Sequence, residues 1–295
     1  MHDKLCFVQF IHPGGEHEPD DGERKEWNRG NHKRKFLWQN GTYVANGKTE
    51  KGDIMFWGEW EPESVVERKI DDPIPRGPRF ICKPYYVVPE SYDGLQNTDP
   101  FVFGQQFLYT WCQQRTKKSA TQLRYLSKGS VILFGSCEDK AFVLDTVFVV
   151  DRGIDHTRAD YLGVLADISQ EYKEVTIFPW YRVLSTEGKS CAVVGSVESW
   201  RLYFGATYDK PVHGMYSFFP CQPYDASSRG FARPKISLSG TITDNLRQGK
   251  RYEQPTLDAM KLLWEKITEQ VREQGLALGA YAEMPERRPN SASAR

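Results

Sequence analysis

The chain lacks most of the features that announce a function. It has no excess charge: Lys+Arg and Asp+Glu are both 39, for a net charge of zero. That excludes a protein that binds nucleic acid through bulk basicity alone. Its six cysteines, Cys6, Cys82, Cys112, Cys137, Cys191 and Cys221, form no Cys-x-x-Cys pair, so paired-thiolate zinc and dithiol redox motifs are missing. Several sit inside apolar runs such as FICKPYY and YTWCQQ, the pattern of buried free thiols rather than of a disulfide framework. The longest apolar runs, VILFG and VFVV, fall far short of a membrane span. The opening MHDKLCFVQFIHPGG has no apolar signal core, so the expected location is the cytoplasm, without a membrane partner. No glycine-rich phosphate loop and no regular alternation of strand and helix is visible, which argues against a doubly wound fold.

What is abundant is aromatic. Eight Trp, 15 Tyr and 16 Phe in 295 residues supply large apolar area per side chain, enough for a real core. Strand patterns dominate: LCFVQFI, KRKFLWQNGTYV with a turn expected at Asn40-Gly41, IMFWGEW, FICKPYYVV and FVFGQQFLYTWC. The clearest hairpin is SVILFGS–CEDK–AFVLDTVFVV, and VTIFPWYRVL, CAVVGS and WRLYFGATY read as further strands. TRADYLGVLADISQ has helical possibilities. One helix stands out near the end, with Thr256 as N-cap, Leu257, Met260, Leu263, Trp264, Ile267 and Val271 on one face, and Gly275 as stop. The expected class is α+β: a predominantly antiparallel, curled or barrel-like sheet with a C-terminal helix. Residues 1–282 read as a single β-rich domain, with a possible sub-lobe boundary in the Pro-rich connector near 71–79 and a disordered tail over 283–295.

Four polar-aromatic motifs follow or flank strands, where sites are commonly grafted. HPGGEHEPD places His12 at a strand end and lets Glu16 and His17 fold back beside it; a carboxylate next to imidazoles serves as acid, base or ligand. A metal site from His12, His17 and His32 has no standard spacing. WNRGNHKRKF interleaves Asn28, Lys33, Arg34 and Lys35 with rings, a pattern suited to phosphates and base faces. FWGEWEPES ends a strand in Trp57, Glu59, Trp60 and Glu61. YDGLQNTDPFVFG carries Gln96 and Asn97, whose amides match base edges, then Asp99, Phe101 and Phe103. A fifth region holds Arg229, Arg233 and Lys235 around Gly230, suited to a phosphate. Each motif alone also reads as an ordinary loop, rim or capping turn; their co-occurrence is the argument.

The Asp99-Pro100 loop resembles the water-activating Asp-Pro loop of uracil-type DNA glycosylases, although theirs follows a parallel strand in an α/β fold. The HPGGEH, HKRKF, GEWEP and NTDP clusters resemble those of bacterial proteins associated with DNA modification and phage defence, over roughly residues 5–240. That group includes a DNA glycosylase acting on glucosylated hydroxymethylcytosine. The resemblance implies a cytoplasmic DNA N-glycosylase or related hydrolase that excises a modified, flipped-out base, with DNA as partner and no cofactor. The resemblance fixes no catalytic residue; from the chemistry of the motifs, Glu16 or Asp99 is the expected catalytic carboxylate and His12 or His17 the expected proton donor. Asn28, Arg34, Trp57, Glu59, Gln96, Asn97, Phe101 and Phe103 hold the base, while Lys33, Lys35, Arg229, Arg233 and Lys235 hold the backbone. The rivals are a non-catalytic reader of modified bases with a PUA-like barrel, and a hydrolase or transferase acting on a nucleotide or NAD.

Overall fold

A long hairpin anchors the architecture. The computed structural model describes residues 3–12, 14–19, 24–30, 32–116, 119–182, 199–238, 240–242 and 255–289. In chain order the strands are β1 (Phe7–Ile11), β2 (Arg24–Lys25), β3 (Lys35–Ala45), β4 (Lys48–Gly58), β5 (Ser64–Lys69), β6 (Phe80–Tyr86) and β7 (Leu108–Tyr109). They continue as β8 (Val131–Glu138), β9 (Ala141–His156), β10 (Trp200–Gly205), β11 (Phe219–Pro223), β12 (Ala277–Ala282) and β13 (Glu286–Arg287). β3 and β4 pair antiparallel without a break from Ala45↔Lys48 to Lys35↔Gly58. Their turn is Asn46–Gly47, both residues at positive φ, as a two-residue hairpin turn requires. The turn is therefore not at Asn40-Gly41, which lies in mid-strand opposite Asp53 and Gly52. Gly41 serves a different need: a Cβ there would lie 2.6 Å from both Ile54 and the Tyr281 carbonyl, so its absence lets β12 approach.

The larger sheet runs β12-β11-β4-β3-β6-β5-β2, and β12 also pairs β3, so four of its strands close into a ring. β13 adds parallel to β6. The smaller sheet runs β1-β8-β9-β10-β7, with β1 and β8 parallel. Its β8–β9 hairpin turns at Asp139–Lys140, both at positive φ, where the sequence places it. Backbone hydrogen bonds between Val147 of β9 and Phe218 tie the two sheets together. The class is α+β and antiparallel-rich, as expected.

Side chains alternate along β4. Phe56 joins one core with Trp60, Phe101, Phe103, Tyr109 and Phe134. Met55 and Trp57 join the other, with Phe36, Leu133, Phe218 and Trp264. The second core is roofed by the C-terminal helix Leu257–Glu273, whose N–H of Ala259 donates to the Thr256 hydroxyl and which is followed by Gly275 at positive φ.

Three readings change. VTIFPWY, expected as a strand, is helical: Gln170–Tyr172 continues through a π turn over Lys173–Ile177 into Phe178–Tyr181, started by the Ser169 hydroxyl accepting from the Tyr172 N–H. Burial of Tyr172, Val175, Ile177 and Phe178 overrides their strand propensity. The connector at 71–78 closes the antiparallel β5–β6 hairpin, with Lys69 opposite Phe80, so it joins strands of one sheet, not two lobes. Residues 283–289 of the expected tail carry β13, and the Arg288 N–H donates to the Tyr86 carbonyl. CAVVGS lies outside the described residues. Among those described, no helix is long and apolar enough to cross a membrane.

Candidate functional site

The register of β3 against β4 builds the centre of the molecule. Because Lys35 faces Gly58, the residues just before β3 lie beside those just after β4. His32 and Arg34 therefore meet Glu59 and Glu61. Trp60, between the two glutamates, turns into the core, and its indole N–H is shared by the carbonyls of Glu63 and Tyr85. The loop after β1 docks here too: the Arg34 N–H donates to the Gly15 carbonyl and the His17 N–H to the Arg34 carbonyl. That brings His12 onto the same spot. From the smaller sheet, β9 contributes Asp145.

The contacts are dense and buried. Arg34 Nε donates to Asp145 Oδ2 at 2.8 Å, and Nη2 donates to His12 Nδ1 at 2.5 Å. A guanidinium has no acceptor, so His12 Nδ1 holds its lone pair and Nε2 the proton. Arg34 Nη1 is 3.6 Å from Glu59 Oε1. His32 Nδ1 lies 3.1 Å from Glu59 Oε1 and 3.2 Å from Glu61 Oε1, and its contact with Glu61 is aligned as a hydrogen bond. The His12 and His32 rings stack 6.1 Å apart. Beneath, Arg233 spans Asp145 at 3.6 Å, Ser136 at 3.0 Å and Glu138 at 2.6 Å, lies over the Trp57 ring and also donates to the Gly14 carbonyl. Among the described residues, neither oxygen of Glu59 nor Glu61 Oε2 accepts a hydrogen bond.

Electrostatics separates these groups. Burial lowers the His12 pKa, and Arg34 and His32 add to this against the pull of Glu59, so His12 is neutral. For His32 burial also opposes charge, but Glu59 and Glu61 outweigh it and carry the imidazole up to about 10. Burial pushes both glutamates up; Arg34 and the two histidines reverse that for Glu59, which ends well below the carboxylate range, while Glu61 remains raised. Two neighbouring carboxylates whose pKa values are pushed in opposite directions are the usual signature of acid–base chemistry.

A polar shelf extends from the glutamates. The Glu61 N–H donates to Thr98 Oγ1, and the Glu61 carbonyl accepts from the Asn28 N–H. The Asn28 carbonyl in turn accepts from the Gln96 N–H. Beside Asn28 and Gln96 in the chain, Trp27 Nε1 and Asn97 Oδ1 are buried and make no hydrogen bond among the described residues. The HPGGEH, HKRKF, GEWEP and NTDP motifs thus converge, but through His12, His32, Arg34, Glu59, Glu61 and Thr98.

Several expected residues stand elsewhere. Glu16 accepts from the backbone N–H groups of Arg79 and Phe80 and from Arg79 Nε, an anchor that turns its carboxylate to Arg79. His17 is buried beside Arg34. Asp99 is enclosed, accepting from the N–H groups of Thr110, Trp111 and Cys112; burial outweighs these bonds and raises it to about 7. Phe101 and Phe103 are sealed in the core against Tyr172 and Trp60, and Trp57 donates to the Phe231 carbonyl, so these rings pack the interior and offer no open face to a base. Arg34, Lys35 and Arg233 are buried, Lys35 donating to the Pro62 carbonyl at 2.5 Å, and they cannot reach a DNA backbone. Lys33 and Lys235 are exposed, and Arg229 pairs with Asp72 at 2.7 Å. Asn28 and Asn97 are buried on the shelf and Gln96 is half-buried.

Sequence reasoning named His32 as a candidate metal ligand with His12 and His17 and named Glu61 in its motif, but gave neither a role in the site, and it missed Asp145. The signal for Asp145 was a lone acid in the apolar strand AFVLDTVFVV. Comparison with protein-family models, curated proteins and solved structures finds no match for the chain.

Proposed function

We propose that the protein is a hydrolase of N-glycosidic bonds that excises a modified base flipped out of DNA. The observation that carries this reading is the pair of buried glutamates, Glu59 and Glu61, of whose four oxygens only Glu61 Oε1 takes a hydrogen bond among the described residues, set against His12 and His32. Cleavage of a glycosidic bond needs a carboxylate to stabilise positive charge on the sugar or to activate water, and a proton donor for the leaving base. Glu59 and Glu61 supply the first. His32, with a side chain 26% exposed, is the member of the cluster nearest solvent and supplies the second. Extruding a base costs a few kcal/mol. Trp27 Nε1 and Asn97 Oδ1, which make no hydrogen bond among the described residues, offer a donor and an acceptor that repay it at the base edge. Lys33 is the expected cation that remains exposed next to the cluster. The role in phage defence rests on the resemblance of the four motifs.

A reader of modified bases needs no acid pair in its pocket, which favours the hydrolase. A nucleotide- or NAD-processing enzyme would differ in salt dependence, since DNA affinity falls steeply with ionic strength. The test is incubation with DNA from differently modified phages, with mass spectrometry of released bases and scoring of abasic sites. Wild type is expected to release one modified base, and Glu59→Gln and Glu61→Gln to release it at least ~100-fold more slowly. Absence of release from every modified DNA overturns the proposal.

A further inference from the structure

We propose that His32, Glu59 and Glu61 form a binding site for one divalent first-row transition-metal ion. The argument begins with alternation. Glu59 and Glu61 are separated by Trp60, which is anchored inward by its indole N–H, so the two carboxylates share one side and face the imidazole that precedes β3. One nitrogen and carboxylate oxygens from both glutamates lie within 4.8 Å of one another. The His32 Nδ1 distances of 3.1 and 3.2 Å to the two Oε1 atoms are those of neighbouring donors around an ion held at about 2.0–2.2 Å.

The second observation is independent of spacing. Glu59 and Glu61 side chains are 2% and 1% exposed, yet Glu59 Oε1, Glu59 Oε2 and Glu61 Oε2 accept no hydrogen bond among the described residues. Buried carboxylate oxygens without donors are costly. One N–H on His32 can align with only one of its two neighbours, and here it aligns with Glu61. A single cation satisfies both carboxylates at once. Arg34 does not fill this role for the pair, because its Nε and its shortest carboxylate contact belong to Asp145. His12 stays outside the donor set, its Nδ1 taken by Arg34. The partial exposure of His32 gives the ion a route in and leaves room for water.

The donor set selects the metal. Mixed imidazole and carboxylate ligands, with no thiolate, suit Mn²⁺, Fe²⁺ or Zn²⁺ better than Mg²⁺ or Ca²⁺, which prefer all-oxygen shells. The inference does not rest on base excision, since it concerns occupancy; with the ion bound His32 Nδ1 is a ligand and carries no proton, so the proton for a leaving base then comes from metal-bound water rather than from His32.

The experiment uses the full chain, purified without chelator, for elemental analysis, then stripped with EDTA and titrated calorimetrically with Mn²⁺ and Zn²⁺. About one equivalent per chain is expected, with a rise in Tm on re-addition. His32→Ala and Glu61→Gln should bind at least ~10-fold more weakly and lose the Tm rise. His213→Ala, which removes an exposed imidazole paired with Asp258, should bind like wild type. Far-UV circular dichroism checks that each variant folds. If either does not, electron paramagnetic resonance of Mn²⁺ on wild type decides, through nitrogen coupling from one imidazole. No metal above background together with no Tm change overturns the proposal, as does undiminished binding by folded His32→Ala or Glu61→Gln. In those cases the His32 imidazolium bridges the glutamates, with Arg34 beside Glu59. None of these readouts measures base release, so failure here and failure of the hydrolase reading are separable.

Discussion

Asp99→Asn separates an architectural carboxylate from a catalytic one. Asp99 Oδ1 accepts from Thr110 N–H, and Oδ2 accepts from the N–H groups of Trp111 and Cys112. An asparagine can place its oxygen at the Oδ2 position and keep two of the three bonds. Its NH₂ then faces the Thr110 N–H, leaving a buried donor unsatisfied at a cost of about 1–3 kcal/mol. Titration adds a pH dependence. Burial raises Asp99 from 3.8 to about 7 in the folded protein. A raised folded pKa means that the stabilisation is complete below 3.8 and is lost as pH rises through 7. At roughly 1.4 kcal/mol per pH unit, the wild type gives up about 3 kcal/mol from this group between pH 5 and pH 8. Asparagine does not titrate. The variant is therefore expected to be less stable than wild type at pH 5 and to draw level with it, or pass it, at pH 8. Urea unfolding followed by tryptophan fluorescence at the two pH values measures the difference. A gap that does not change with pH refutes the reasoning. So does a variant as stable as wild type at both pH values that has lost base release, which would return Asp99 to the chemistry.

The other expectations follow from the same contacts. Arg34→Ala removes the cation hydrogen-bonded to buried Asp145 and the guanidinium beside buried Glu59 and should cost about 3–5 kcal/mol in urea unfolding. Burial lowers His156 from 6.5 to about 4, with Thr110 and Tyr181 on its two nitrogens. A lowered folded pKa gives stability that is full above 6.5 and lost as pH falls toward 4, so wild type should lose about 3 kcal/mol more than His156→Gln between pH 7 and pH 4. Glu16→Gln should lower stability by about 1–2 kcal/mol by weakening the Arg79 anchor, while base release stays at the wild-type rate. A loss of release as large as that of Glu59→Gln would show that Glu16 belongs to the site.

The legible parts of the molecule were local. Thr256, the spaced apolar residues after it and Gly275 specify a helix within one stretch of chain, and the β8–β9 hairpin is written in adjacent residues. The motif positions were legible for the same reason, since strand ends can be read without knowing what they pack on. The turn between β3 and β4 was misplaced because Asn40-Gly41 and Asn46-Gly47 carry the same local signal, and only the pairing of β12 on Gly41 distinguishes them. VTIFPWY was misread because its β-branched residues favour strands in isolation, whereas the packing of Tyr172, Phe178 and Tyr181 on Phe101, Tyr92 and Trp111 is met by a helix. Arg34, Lys35 and Arg233 look like surface cations in sequence. Arg34 is interior because Asp145, 111 residues away, comes to meet it, and no short window holds that information. Glu16 and Asp99 were chosen as acids because they sit in conspicuous loops, but their partners, Arg79 and the N–H groups of 110–112, lie far along the chain.

The Arg34–Asp145 pair has a consequence for how the site comes into being. Arg34, His32, Glu59 and Glu61 arrive with the ring-forming sheet, while His12 and Asp145 arrive with the other. The first group already pairs cations with acids, whereas Asp145 and its partner Arg34 come from different sheets, so that tie forms only at docking. Slippage of one layer over its neighbour by a single residue would displace Asp145 by about 3.4 Å and break the tie while every strand kept its own ladder. The proposed base release would then be lost before secondary structure, making it a more sensitive gauge of tertiary fit than any spectrum of the backbone.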